Sequence, residues 1–403
     1  MTVAIISEYN PFHSGHEYQI ETIRQEFGDD TEIVAVMSGN YTQRGEIAVA
    51  DKYLRAEWAV RCGVNLVLEL PFPYSMSSAE IFARAAINII KSVGVVDAIS
   101  FGSECGDAEK LTEIADNMLK SEYSDAFAAL SKAAETKNLG YPALMEAAYK
   151  NAFSLDESLL SEPNNILAIE YIKAIRSLGA ELKIHTVKRC GAGYLSETID
   201  SSEHQSAMSI RAALSSGDDS YLKSIPLSMR PSFVENLEKK EFPTDESRLS
   251  AALISHFRLN TRDDDKIIFD ARGGLYNRLK NASIEAVDIK SLVSLAETKK
   301  FTNARIKRAI FYSFFGVTSS DVKVLPKFSQ VLAFDSRGRA LLKSIKVKSD
   351  FTLITKPSAS DSLDSVAKEQ KRRLDRADSV FQLSKPQSVS GADALRRTPF
   401  VKK

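Results

Sequence analysis

The chain has 403 residues, a formal net charge of +0, 44% hydrophobic residues and 26% charged residues. That is an ordinary soluble composition with room for two or three domains, and it excludes a strongly basic or acidic chain, although a balanced total can hide a local basic patch. Three scattered cysteines (Cys62, Cys105, Cys190) make no disulfide framework or zinc knuckle, the most apolar stretch near 64–73 is broken by Asn65, Glu69 and prolines, and no charged-then-apolar leader opens the chain, so a reducing, cytoplasmic, membrane-free setting is expected.

In chain order, residues 3–6 read as a buried strand, and 17–27 as a helix with Tyr18, Ile20, Ile23 and Phe27 at helical spacing. Residues 33–37 are a second strand ending in Ser38-Gly39-Asn40, 52–62 a helix, and 65–70 a strand stopped by Pro71. Residues 79–93 form a long apolar helix, and 98–101 a strand ending in Gly102-Ser103-Glu104. Short buried strands alternating with helices predict an α/β fold, a parallel sheet flanked by helices. Such sheets bind ligands beyond the carboxyl ends of their strands, where these polar, Gly-bearing turns lie.

Residues 108–160 read as mostly helical, 164–178 as a helix, and 181–187 as a strand running through Lys188-Arg189 into Gly191-Ala192-Gly193-Tyr194. A helix beginning near Ser206 closes a first domain, 1–215. In the second region, 216–403, residues 247–259 and 284–316 read as helices, and 331–334 and 351–354 as short strands about a turn at Gly338. Residues 365–383 read as a charged helix, so this region is mainly helical with a small α/β part.

The loop after the first strand delivers His13-Ser14-Gly15-His16 to the start of a helix. Attack on an α-phosphate builds negative charge on its oxygens, which imidazoles and helix N-terminal amides can stabilise. Gly15 lets backbone and phosphate approach closely. A capped helix whose histidines face solvent is the alternative. The other histidines, His185, His204 and His256, offer no third ligand at a metal-binding spacing, so no metal site is expected.

Ser7 to His16 resembles the HIGH-type signature of the nucleotidyltransferase superfamily, and a longer pattern resembles one branch of it, the bacterial tRNA(Met) cytidine acetate ligases. The pattern comprises Ile6-Ser7-Glu8-Tyr9-Asn10-Pro11-Phe12-His13-Ser14-Gly15-His16, Met37-Ser38-Gly39-Asn40-Tyr41-Thr42-Gln43-Arg44-Gly45-Glu46, and Asp51-Lys52 with Arg55-Ala56. It continues with Leu68-Glu69-Leu70-Pro71, Phe101-Gly102-Ser103-Glu104, Pro163-Asn164-Asn165-Ile166-Leu167, and Lys188-Arg189 before Gly191. The resemblance implies a Rossmann-like parallel-sheet domain followed by a helical tRNA-binding region. It implies that acetate attacks the α-phosphate of ATP, giving acetyl-adenylate and pyrophosphate. The acetyl group then passes to N4 of the wobble cytidine of elongator tRNA(Met), forming N4-acetylcytidine. His13 and His16 are the implied catalytic residues. Ile6, Ser7, Glu8, Tyr9, Asn10, Pro11, Phe12, Ser14 and Gly15 surround ATP, with Gly102, Asn164 and Arg189 completing the nucleotide site and Mg²⁺ accompanying the triphosphate. No membrane and no obligate protein partner are implied.

Other residues keep two readings. Asn40, Gln43 and Arg44 are substrate contacts or a polar turn. Asp51 and Lys52 orient substrate or cap a helix, and Glu104 reads as a helix cap. Asn164 or Asn165 is expected to cap a helix, with Asn164 favoured for ATP. Ser206 to Arg211 resembles a Ser-x-Thr-x-Ile-Arg element with Met208 in place of threonine, so either Ser209 supplies the hydroxyl beside Arg211 or one contact is lost. Arg305, Lys307 and Arg308, near Phe311 and Tyr312, and Lys371, Arg372 and Arg373 form basic clusters that read as RNA grips or as solvated helix faces. The competing functions are a small-molecule adenylyltransferase and a non-catalytic RNA-binding protein. No residue stands out as the base for cytidine attack.

Overall fold

A computed structural model describes residues 1–133, 141–153, 158–189, 206–260, 267–387 and 389–402. Cys190, the 191–194 turn and His204 lie outside these residues.

One eight-stranded sheet organises the molecule: β1 (Thr2–Ser7), β2 (Glu32–Ser38), β3 (Leu66–Leu70), β4 (Ala98–Ser103), β5 (Lys183–Lys188), β6 (Phe328–Phe334), β7 (Thr352–Ile354) and β8 (Phe400–Val401). Its order is β5-β4-β1-β2-β3-β6-β7, with β8 also on β6. The first five strands are mutually parallel, and β6 runs antiparallel to β3. Three strands from beyond residue 215 thus extend the sheet begun by the first hundred residues.

Strand periodicity sorts the core into two faces. Ala4, Ile6, Val34, Val36, Leu66 and Leu68 pack with the helix Ala79–Val93 on one side, while Val3, Ile5, Ile33, Ala35 and Val67 face the other. The helices that carry the site are α1 (Ser14–Phe27), α2 (Lys52–Arg61) and α3 (Ala79–Val93). Next come α4 (Ala108–Met118), α5 (Ser121–Lys132), α6 (Tyr141–Phe153), α7 (Pro163–Leu178) and α8 (Ala207–Ser216). The later chain adds α9 (Arg230–Glu238), α10 (Ser250–Leu259), α11 (Leu275–Glu285), α12 (Ile289–Ala296) and α13 (Asn303–Phe315). It ends with α14 (Ser319–Lys323), α15 (Ser336–Lys348), α16 (Ser365–Phe381) and α17 (Gly391–Arg396). A third core joins Tyr41, Ile47, Phe72 and Met76, from the loops after β2 and β3, to α10, α11, α12, α13 and α16.

Two expectations are corrected. Residues 284–316 are not one helix: α11 ends inside the range at Glu285, and non-helical stretches separate α11, α12 and α13. Gly338 is no turn: it sits in the first turn of α15, where its N–H donates to the cap residue Asp335 at 2.8 Å. A Cβ there would lie 1.9 Å from the Asn65 carbonyl oxygen, so glycine is needed for close approach of helix to strand.

Candidate active site

The histidine loop builds a reciprocal helix cap. His13 occupies the extended N-cap position of α1 with φ −148°, and its Nδ1 accepts the Gly15 N–H at 3.0 Å. His16 Nδ1 in turn accepts the His13 N–H at 3.2 Å. The two rings lie 3.9 Å apart between centroids, and both line one cleft. The solvent-facing alternative is therefore wrong, although the cap is real. A neutral imidazole whose Nδ1 accepts carries its proton on Nε2; the tautomers are assigned here from these hydrogen bonds. Burial, and then the charges of His13 and Arg189, hold the His16 pKa well below its ordinary value, so His16 stays neutral. The loop thus offers Nε2–H donors at the N-terminus of α1, whose Gly15, His16 and Glu17 N–H groups are already bonded to His13.

The cleft lies beyond the carboxyl ends of β1, β4 and β5, as doubly wound sheets require. Ile6, Ser7, Glu8, Tyr9, Asn10 and Gly15 line it as expected, with Gly102, Asn164 and Arg189 on the opposite wall. Pro11, Phe12 and Ser14 do not line it; the buried Phe12 ring instead packs 4.8 Å from that of Tyr9 and holds the loop. Phe82, Phe101, Leu167, Tyr171 and Val187 give the cleft an apolar lining suited to a base; of these, sequence reasoning had quoted only Phe101 and Leu167, and gave neither a role. Gly102 makes room for a neighbour: a Cβ would sit 3.3 Å from Arg189 Cγ, so the arginine stem crosses the strand there.

Glu104, as expected, caps a helix, and it does so across the cleft wall. Its two carboxylate oxygens accept the Asn164 and Asn165 N–H groups of α7 at 3.2 and 2.8 Å. The asparagines are therefore not the cap. Asn164 Nδ2 also donates to Glu104 at 2.6 Å, while buried Asn165 Oδ1 accepts the Glu104 N–H at 3.0 Å. Of the two, Asn164 faces the cleft.

Gln43, Arg44 and Glu46 form the other wall. The Gln43 N–H donates to Glu8 Oε1 at 2.8 Å. Gly45 has φ +81°, and a Cβ there would come 2.6 Å from the Arg308 backbone nitrogen, so this wall rests directly on α13. Lys307 of α13 donates to Glu46 at 2.7 Å. Arg211 reaches the Asn10 carbonyl at 2.8 Å and lies 3.6 Å from Glu46. Burial alone would raise the Glu46 pKa, but Lys307 and Arg211 outweigh it and hold the carboxyl below its usual value.

Asn40, Asp51, Lys52 and Ser209 do not line the cleft. Lys52 is buried beneath it, where Nζ binds both oxygens of Glu69 at 2.8 Å, Asp378 at 2.6 Å and Gln330 at 2.8 Å. Asn40 ties the Lys52 N–H to Asp378, at 2.8 and 2.9 Å. Asp51 is the N-cap of α2, accepting the Tyr53 N–H at 2.9 Å, and Arg397 lies 3.4 Å away. Ser209 donates to the Ser206 carbonyl at 2.8 Å, leaving Ser206 and Met208 to face the cleft, so no hydroxyl takes threonine's place one residue later. Sequence reasoning gave Arg55 no role; fully buried, it donates to the carbonyls of Glu8 at 2.5 Å and Ser38 at 3.1 Å, and to that of Gly39, clamping the ends of β1 and β2 together.

The basic clusters are largely internal. Arg305 donates to the carbonyls of Asp270 and Arg272 at 3.0 and 2.9 Å. Arg308 pairs with Asp270 at 2.6 Å, Arg373 with Asp321 at 2.7 Å, Arg372 with Glu369 at 3.3 Å, and Lys371 with Asp375. With Lys307 on Glu46, every cation assigned to RNA has a partner within the chain, and only the Arg372 pair is exposed on both sides. Among the described residues no three His, Cys, Asp or Glu side chains gather as a metal site, and no helix is long and apolar enough to cross a membrane.

The HIGH Nucleotidyl Transferase family matches residues 1–394. The tRNA(Met) cytidine acetate ligase of Thermoanaerobacter sp. is 34% identical, with 99% of each chain covered. The chain belongs to this ligase family. The Acetivibrio thermocellus ligase is 35% identical over 93% of this chain and 92% of its own. Thermotoga maritima TmcAL bound with alpha-thio ATP superimposes with a TM-score of 0.91 at 28% identity, covering 100% of both chains. The apo form of the same protein gives 0.92 at 27% identity over 99% of each chain. The ligase resemblance thus extends well past the motif-dense residues before 215.

Proposed function

We propose that the chain is an ATP-dependent tRNA cytidine acetate ligase that makes acetyl-adenylate in this cleft and passes the acetyl group to N4 of a wobble cytidine. The observation that carries the chemistry is the locked histidine pair at the N-terminus of α1. Adenine lies against the apolar lining by Phe101 and Tyr171, which leads the phosphates towards His13, His16, Arg189 and Arg211. An acetate oxygen attacks the α-phosphorus and pyrophosphate leaves. Charge that grows on the α-phosphoryl oxygens meets the Nε2–H donors and the positive end of the α1 dipole, so little reorganisation is needed. The apolar wall then shields the mixed anhydride from water.

Mg²⁺ takes one or two carboxylates and otherwise triphosphate oxygens and waters, so among the described residues Glu46 would suffice to hold it in this cleft. Bound there, it would offset triphosphate charge. The proposed acceptor is a cytidine of tRNA(Met), as in the relatives' name, and within it the wobble cytidine of the elongator form. A small-molecule adenylyltransferase would need neither α10–α13 nor near-full-length likeness to tRNA ligases. Incubation with ATP, labelled acetate and tRNA, followed by nucleoside mass spectrometry, tests the reading. Labelled N4-acetylcytidine supports it; acetate-independent pyrophosphate exchange without a labelled nucleoside refutes it.

A further inference from the structure

Acetyl transfer sets a requirement that adenylation does not. The N4 lone pair forms a bond to the acetyl carbon, and the carbonyl π pair moves onto oxygen. That pair then returns as the bond from carbon to the AMP oxygen breaks. AMP leaves as a phosphate and needs no proton, but one N4 proton must pass to a base.

The cleft narrows the choice. Neither histidine serves, because each Nδ1 lone pair already accepts a backbone N–H and each Nε2 carries a proton. Among the described residues two carboxylates line the cleft, Glu8 and Glu46. Glu46 is held by Lys307 at 2.7 Å with Arg211 at 3.6 Å, which weakens it as a base.

Glu8 differs. It follows β1 directly, its carbonyl is fixed by Arg55 at 2.5 Å, and its Oε1 accepts the Gln43 N–H at 2.8 Å. Among the described residues, Oε2 has no hydrogen-bond partner and the carboxylate makes no ion pair. We propose that Glu8 is the general base of acetyl transfer, its Oε2 taking the N4 proton as the N–C bond forms and releasing it to solvent after AMP departs. The assignment rests on the ligase reading above. Burial raises the Glu8 pKa, with Glu46 acting in the same sense, against the Gln43 N–H and the charges of Arg211 and Arg55. The result is a stronger base than an ordinary surface carboxylate. A carboxylate in this place would repel a phosphate, which argues against a role in gripping the nucleotide directly.

The test is Glu8→Gln, whose amide oxygen can still accept the Gln43 N–H. Two rates are measured: acetate-dependent ATP–pyrophosphate exchange, and single-turnover transfer from preformed acetyl-adenylate to tRNA. Transfer is expected to fall ~10²–10⁴-fold, a larger factor than the loss in exchange. Transfer by the unaltered protein should rise with pH as Glu8 ionises, and that limb should vanish in the variant. Equal loss in both rates would assign Glu8 to ATP or its metal ion and overturn the proposal, as would undiminished transfer. Absence of acetate-dependent exchange in the unaltered protein would refute the ligase reading itself.

Discussion

Lys52 and Asp378, 326 positions apart, meet at 2.6 Å in the buried layer under the cleft. Glu69 completes a cluster of one cation and two carboxylates that ties α2 and β3 to α16. Removing one partner of a buried ion pair typically costs about 3–5 kcal/mol, because a charge is left stranded. Lys52→Met should lose stability of that order in urea unfolding. Adding Glu69→Gln and Asp378→Asn should recover part of it, since the stranded charges go too.

The same cluster predicts a pH dependence. Burial raises the Glu69 carboxyl, more than Lys52 lowers it, and burial likewise pushes Glu246 up to about 7. Each folded-state pKa lies above the unfolded value near ~4.3. The folded protein therefore holds protons that the unfolded chain has released. The contribution is fully present below ~4.3 and is lost as pH rises towards neutrality. Urea midpoints from pH 4.5 to 8 should fall less steeply in Glu69→Gln than in the unaltered protein; identical slopes would refute this account.

Cap and catalysis separate at His13. An Asn side chain still accepts an N-terminal amide but presents no Nε2–H. His13→Asn should keep thermal stability nearly unchanged, whereas His13→Ala loses about 1 kcal/mol of capping. Both should slow acetate-dependent pyrophosphate exchange, by ~10²–10³-fold if a charge-stabilising donor is lost. Unimpaired exchange in His13→Asn would show that the imidazole only caps.

Gly45 offers a test of the wall that rests on α13. Alanine there must adopt φ +81° and press on the Arg308 backbone. A cost of ~1–3 kcal/mol is expected, together with a raised KM for ATP, as Gln43, Arg44 and Glu46 shift. A destabilised variant with unaltered KM would detach this loop from the site.

The parallel strands and the histidine loop were legible because buried strands and Pro/Gly punctuation are local signals. The basic clusters were legible as charge, but not the contacts they make inside the chain. The partners of Lys307, Arg308 and Arg373 are Glu46, Asp270 and Asp321, and no spacing rule connects such distant positions. Lys52 reads as a substrate contact for the same reason, since Asp378 is invisible from residue 52. Gly338 shows a subtler limit. Glycine among charged residues reads as a turn, but its cause is the Asn65 carbonyl against which α15 starts.

The pairing of β3 with β6 also bears on synthesis. Residues 66–70 leave the ribosome long before 328–334, by roughly 15–50 s at ~5–20 residues per second. Through that interval Leu-Val-Leu-Glu-Leu is an open apolar edge, the kind that recruits other strands. A nascent chain must be shielded until its last quarter emerges, and a prematurely terminated one carries a standing signal for chaperones and proteases.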